Sequence, residues 1–209
     1  MSATDALVIR HLGQVDYVTA WHDMQRFTNS RGHNTPDELW FLEHPPVFTL
    51  GRNGKQEHLH NTGEIAVINT DRGGQVTYHG PGQLILYPLL NINRRQLGVQ
   101  SLVQILEQAV IDLCTDYRID AHRREKAPGV YVEDHKLAAL GLRIRKGCSF
   151  HGLSFNIDMD LTPFSMIDPC GYAGMEVTQL RDLGVKESMQ TLTDQFQNHL
   201  EHLLKVQDS

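Results

Sequence analysis

The chain has 209 residues, 40% hydrophobic and 21% charged, enough for one α/β core and short for two, so a single domain over residues 1–209 is expected. A net charge of −6 argues against a nucleic-acid binder, and no apolar run approaches the ~20 residues that cross a bilayer, so no membrane role is expected. The opening MSATDALVIRHLGQ lacks a basic region followed by an apolar stretch and a cleavage site, which leaves the cytoplasm as the expected compartment.

Residues 6–12, ALVIRHL, alternate as a first strand, and a helix follows in which Tyr17, Ala20, Trp21, Met24 and Phe27 recur at three- and four-residue spacing. DELWFLE at 37–43 reads as a second strand. From His44 to Glu64 the chain is punctuated by Pro and Gly and reads mostly as loop, of a length that often carries function. IAVINT at 65–70 is a short strand, and QLILYPLLNI at 83–92 an apolar one whose Pro88 indicates an edge or an irregular end. Ser101 and Gln104 fit an S-x-x-Q capping box for a helix marked by Leu102, Leu106, Ala109, Val110, Leu113 and Tyr117. GVYVEDH then runs into KLAALGLRIRKG and CSFHGLSFNIDMD, expected to be antiparallel neighbours. Ala138, Leu140, Leu142 and Ile144 share one buried face, and Leu153, Phe155, Ile157 and Met159 share another. Leu192, Phe196, Leu200, Leu203 and Leu204 mark a closing helix near 188–204.

Three cysteines, at 114, 148 and 170, are too few and too scattered for a disulfide framework, and no C-x-x-C starts a zinc site. Among twelve histidines there is no H-E-x-x-H, and His58 and His60 form a lone H-x-H, so no metal is expected. The basic runs RR at 94–95, RR at 123–124 and RIRK at 143–146 are either solvated faces or patches for an acidic partner.

Three features could carry chemistry. In RGGQVTYHGPGQ, at 72–83, paired glycines let backbone approach a ligand closely, and Thr77 and His79 project on alternate positions. No Walker spacing or dinucleotide fingerprint occurs there or in GRNGKQ, so no nucleotide cofactor is expected. Lys136 opens KLAALGLRI on the parity of Ala138 and Leu140, the core face. Either the turn at Glu133–Asp134–His135 shifts that parity, the stem snorkels to water, or the amine is drawn into a partly dry site where burial lowers its pKa. Cys170, within DPCGYAGM, lies on no apolar stripe, unlike Cys114, a core residue, and Cys148, read as structural. A free thiol is mostly protonated at neutral pH and needs a partner to become a nucleophile. Lys136, His79 and His151 are the candidates, although His151 shares the parity of Leu153 and Phe155, where a hydrogen-bonded core histidine is expected.

RGGQVTYHGPGQLILYPLLNI, APGVYVEDHKLAALGLRIRKGCSFHGLSFNIDMDL and PFSMIDPCGYAGMEVTQL together resemble the bacterial lipoyl(octanoyl) transferases, over about residues 6–183. The resemblance implies the α/β fold of the biotin and lipoate ligase catalytic domains, a mixed sheet with helices packed against it. It implies transfer of an octanoyl or lipoyl group from acyl carrier protein to a lysine of lipoyl domains, those of 2-oxoacid dehydrogenases and the glycine cleavage H protein. Cys170 is implied as the nucleophile that carries the acyl thioester and Lys136 as the residue that tunes it. Arg72, Gly73, Gly74, Gln75, Val76, Thr77, Tyr78 and His79, with Ala139, Leu140, Gly141, Gly152, Leu153 and Ser154, are implied as the substrate pocket. Many relatives carry Ser or Thr where this chain has Ala139, so a hydroxyl is missing. Thioester exchange followed by amide formation needs no ATP, unlike the ligases of similar fold. An ATP-dependent lipoate or biotin ligase, a thioesterase and a non-enzymatic acyl-binding module are the alternatives.

Overall fold

The computed structural model describes residues 6–168 and 175–207. In chain order they form β1 (Leu7–Gln14), α1 (Tyr17–Ser30), β2 (Asp37–Glu43), β3 (Val47–Leu50), β4 (Val67–Asn69), β5 (Val76–His79), β6 (Gln83–Leu89), α2 (Val99–Asp116), β7 (Ala121–Arg123), β8 (Gly129–Val132), β9 (His135–Arg145), β10 (Cys148–Asn156) and α3 (Met189–Gln207), with 3₁₀ turns at Gln56–His58 and Thr162–Met166. A seven-stranded mixed sheet runs β1-β2-β6-β10-β9-β8-β7, and a three-stranded one runs β4-β3-β5. The fold is therefore α/β, a mixed sheet flanked by helices.

The central strands are apolar at nearly every position because both faces of the large sheet are covered. Leu39, Phe41, Leu84, Leu86, Leu153 and Phe155 face a core shared with α2 and α3, whereas Trp40, Leu42, Ile85, Tyr87 and Leu89 face α1. Leu192, Phe196, Leu200 and Leu204 seat α3 on the first core, each fully buried side chain contributing about 1.5–3 kcal/mol. The N-terminus of α1 is fixed by Asp16, whose carboxylate accepts from the Thr19 N–H at 3.0 Å.

Several expectations need correction. The stretch 44–64 contains a strand, β3, at the centre of the small sheet; Phe48 and Leu50 pack there with Val76, Tyr78 and Phe164. Met159 belongs to that small core rather than to the face of Phe155. β6 is central rather than an edge, and Pro88 marks the irregular end that is the other expectation: it opposes Leu39 of β2, while the β6–β10 pairing covers only Gln83 to Leu86. The proline thus sits where the second ladder has lapsed and its missing N–H costs nothing. Ser101 caps nothing, because α2 begins at Gly98, whose carbonyl already accepts from Leu102. The run at 94–95 is turned inward, where Arg94 and Arg95 bind the buried Asp37, whereas that at 123–124 stays on a solvated face, with Arg123 paired to Glu107 and Arg124 to the exposed Asp134.

Candidate active site

A cleft of about 730 Å³, measured with its mouth, opens between the small sheet and the β6-β10-β9 part of the large one. Lys136, Arg72, His79 and residues 74–77, 139–141 and 152–154 line it. Gly73 and Tyr78 are not on its wall: Gly73 lines a surface groove with Arg52 and Arg143, and Tyr78 packs against Phe48 and Phe164. Cys170 lies outside the described residues. The sequence reading missed Tyr17, Ile85, Tyr87, Asn156, Phe164 and Val177 as lining residues. Nothing but the apolar stripe of α1 pointed to Tyr17, and nothing local to the others.

Two backbone irregularities shape this cleft. Opposite β8 the register slips, so that Val130 pairs with Ala138 but Tyr131 with Lys136, and Leu137 is the extra residue. This bulge lets Leu137 and Ala138 both enter the core while Lys136 joins the cleft wall. The lysine is 4% exposed, so its amine does not snorkel to water. In β10, His151 adopts φ +56°, which breaks alternation. Next to it a Cβ on Gly152 would lie 2.0 Å from the Leu86 carbonyl oxygen, so only glycine allows β10 to approach β6 this closely.

His151 is consequently not a satisfied core histidine. Its Nε2–H donates to Asp71 Oδ1 at 2.8 Å, an oxygen that also accepts from Trp21 Nε1. Its Nδ1 is buried with no hydrogen-bond partner among the described residues. Burial works against the Asp71 charge, but the bonds from His151 and Trp21 hold its carboxyl below the usual range; burial also lowers the His151 pKa.

His79 is occupied at both ring nitrogens. Arg72 donates from Nε and Nη2 to Thr49 Oγ1, at 3.1 and 2.9 Å. The arginine has only donors, so the threonine hydroxyl must give its proton onward, to His79 Nε2 at 3.3 Å. His79 Nδ1–H then donates to Gln83 Oε1 at 2.8 Å, and Gln83 Nε2 to Asn156 Oδ1 at 2.9 Å. Asn156 Nδ2 donates to the Thr178 carbonyl at 3.0 Å, and the Thr178 N–H to the Lys136 carbonyl at 3.0 Å. Burial, then the neighbouring His44 and Arg72, push the His79 pKa well down and keep the ring neutral. The other end of Lys136 is tied as well: its N–H donates to the Glu176 carbonyl at 2.9 Å.

Cys114 is fully buried and burial pushes its thiol up to about 12; Cys148 is buried and raised by the same cause. Burial thus disfavours the thiolate at both. Among the described residues no group of three His, Cys, Asp or Glu is placed to hold a metal ion, and no helix is long and apolar enough to cross a membrane.

A family model for the lipoyl protein ligase A/B catalytic domain matches residues 16–201. Among solved structures, lipoate-protein ligase A bound with ATP superposes with a TM-score of 0.79 at 14% identity, covering 96% of this chain and 85% of that one. Biotin protein ligase from Aquifex aeolicus superposes at 0.59 with 12% identity, over 96% of this chain and 70% of that one. These likenesses share the fold. The chain belongs to the lipoyl protein ligase A/B catalytic-domain family.

Its sequence relatives narrow the class. The octanoyltransferase of Shewanella oneidensis is 57% identical over 201 residues, 96% of this chain and 93% of that protein. That of Shewanella amazonensis is 56% identical over 207 residues, 96% of each. The protein is an acyltransferase.

Proposed function

We propose that this acyltransferase is a single catalytic domain of the cytoplasm. It moves an octanoyl group from acyl carrier protein to a lysine of lipoyl domains, including those of 2-oxoacid dehydrogenases and the glycine cleavage H protein, through a thioester on Cys170. The observation that carries this reading is the placement of Lys136, a buried amine on the wall of a cleft, bonded through its own backbone to the chain six residues beyond Cys170. The kinship with octanoyltransferases supports it.

In the first step the Cys170 thiolate attacks the thioester carbonyl, the C–S bond to the enzyme forms, the C–S bond to the carrier breaks, and the carrier leaves as a thiolate that takes a proton from solvent. The Lys136 ammonium favours the thiolate as a counter-ion. Acylation removes that anion and leaves a buried cation, which burial disfavours, so the amine can release its proton. In the second step the acceptor lysine attacks, the C–N bond forms, the C–S bond breaks, and the neutral amine of Lys136 takes the acceptor's proton. The site residues 72–79, 139–141 and 152–154 are assigned to substrate binding in this scheme. His79, with both nitrogens engaged, is not the base.

The test is intact-protein mass spectrometry after mixing with octanoyl-carrier protein, without ATP, followed by digestion. One octanoyl group on the peptide containing Cys170, discharged onto a lipoyl domain, is expected. Absence of the adduct together with transfer that requires ATP would refute the reading in favour of a ligase.

A further inference from the structure

Tyr131 of β8 faces Lys136 across the strand pair, and its ring centroid lies 5.2 Å from the lysine Nζ. The ring is fully buried, and its hydroxyl donates to the Ala127 carbonyl at 3.2 Å, which fixes its tilt. Room for the lysine stem comes from Gly129, at φ +143°, where a Cβ would lie 3.2 Å from Lys136 Cε. Bulge, glycine and ring together aim one amine at the cleft from a single direction.

We propose that Tyr131 is a positioning residue for the transfer step, its ring face supporting the Lys136 ammonium on the cleft wall and setting the pH at which that amine can take the acceptor's proton. The inference rests on the reading of Lys136 as the base. An aromatic face attracts an ammonium but not a neutral amine, so it offsets part of the desolvation that burial imposes. It carries no net charge and cannot accept the proton. A carboxylate in its place would hold the proton far more firmly; a ring supports the cation while leaving it able to discharge.

Among the described residues, charged and titratable groups also surround the pair. Arg124 lies 4.4 Å from the same ring centroid, is a third exposed and is paired with Asp134. His122 stacks on the ring at 6.4 Å. Glu107 accepts from the Gly129 N–H and from Arg123, and the Glu176 carboxylate is bound by His135.

The test is single-turnover transfer from preformed octanoyl-enzyme to a lipoyl domain, followed across pH. Tyr131→Leu is expected to move the rising limb to lower pH by about half to one and a half units, the equivalent of a typical cation–π contact. Tyr131→Phe keeps the limb at the parental pH. Because leucine at a buried site can compromise folding, a second series places phenylalanine and its mono-, di- and trifluorinated forms at 131. Shape is then nearly constant, and the limb moves down with each fluorine as the ring quadrupole weakens. A limb that stays put across that series, or moves as far with Phe as with Leu, overturns the proposal. Lys136→Gln separates the two ideas. A limb that persists in it defeats the base reading, and this inference with it; one that vanishes there yet ignores fluorination defeats the role of Tyr131 alone.

Discussion

Replacing Gly129 by alanine tests how tightly the Lys136 stem is enclosed. The residue sits at φ +143°, and the added Cβ would lie 2.7 Å from the Ala138 carbonyl oxygen and 3.2 Å from Lys136 Cε. The backbone conformation costs about 1–3 kcal/mol for a residue with a side chain. Forcing a methyl against backbone costs about another 1–3 kcal/mol. The midpoint, about 4 kcal/mol, lowers Tm by about 12 °C at roughly 3 °C per kcal/mol for a chain of this size. Gly184→Ala is the matched control, since Gly184 has φ +92° and nothing within 4 Å of its would-be Cβ. It bears the backbone cost alone, about half the loss. Differential scanning calorimetry on the two variants reads the difference. Single-turnover transfer reads the second effect, a slowed discharge of octanoyl-enzyme as the lysine is pushed aside. Equal melting of the two variants, with parental transfer in Gly129→Ala, would show that the packing around this lysine was misjudged.

Under the proposed mechanism Lys136→Arg keeps a cation as counter-ion but cannot release a proton, so acyl-enzyme should still form slowly while its transfer falls by about 10²-fold or more; stopped-flow rates equal to the parent's would reject the two roles. Cys170→Ser should abolish the covalent adduct in mass spectra, whereas Cys114→Ser and Cys148→Ser should leave it, and Cys114, raised to about 12, should resist alkylation at pH 7. Burial holds the His44 pKa at about 4 against 6.5 for the free side chain. The unfolded chain therefore binds a proton below pH 6.5 that the folded one refuses, and stability is lost as pH falls from 6.5 toward 4. The loss attributable to this group reaches about 3 kcal/mol. Urea melts of parent and His44→Gln across that window should show a shallower fall in the variant, and parallel curves would exclude this histidine as a source.

The elements that could be read from sequence are those whose burial is periodic. DELWFLE spells a strand because Leu39 and Phe41 face one core while Trp40 and Leu42 face another, and the stripe of α3 is as plain. Val47–Leu50 was hidden, being only four residues long and behind two prolines; what makes it a strand is pairing with Val67–Asn69 and Val76–His79, which no local pattern announces. The helix start is marked by the Gly98 carbonyl, which accepts from Leu102, not by the Ser-Gln spacing three residues on. In the cleft, the odd parity of Lys136 and the composition of the glycine-rich block singled them out. Their meeting depends on a bulge at Leu137 and a left-handed His151, and strict alternation is blind to both. Asn156 and Tyr131 drew no notice because an amide in a strand and a tyrosine in a sheet are ordinary until their neighbours are known.

The string of donors from Arg72 to Lys136 has a sense, like a row of arrows laid head to tail. Because its first member can only give, every later link is obliged to pass hydrogen the same way, and the tautomer of His79 and the flip of two amides follow from one guanidinium. The floor of the cleft thereby has a single arrangement of polar hydrogens instead of several of similar energy. A ligand entering meets a surface already settled, and at its far end the Thr178 N–H ties the same segment to the Lys136 carbonyl.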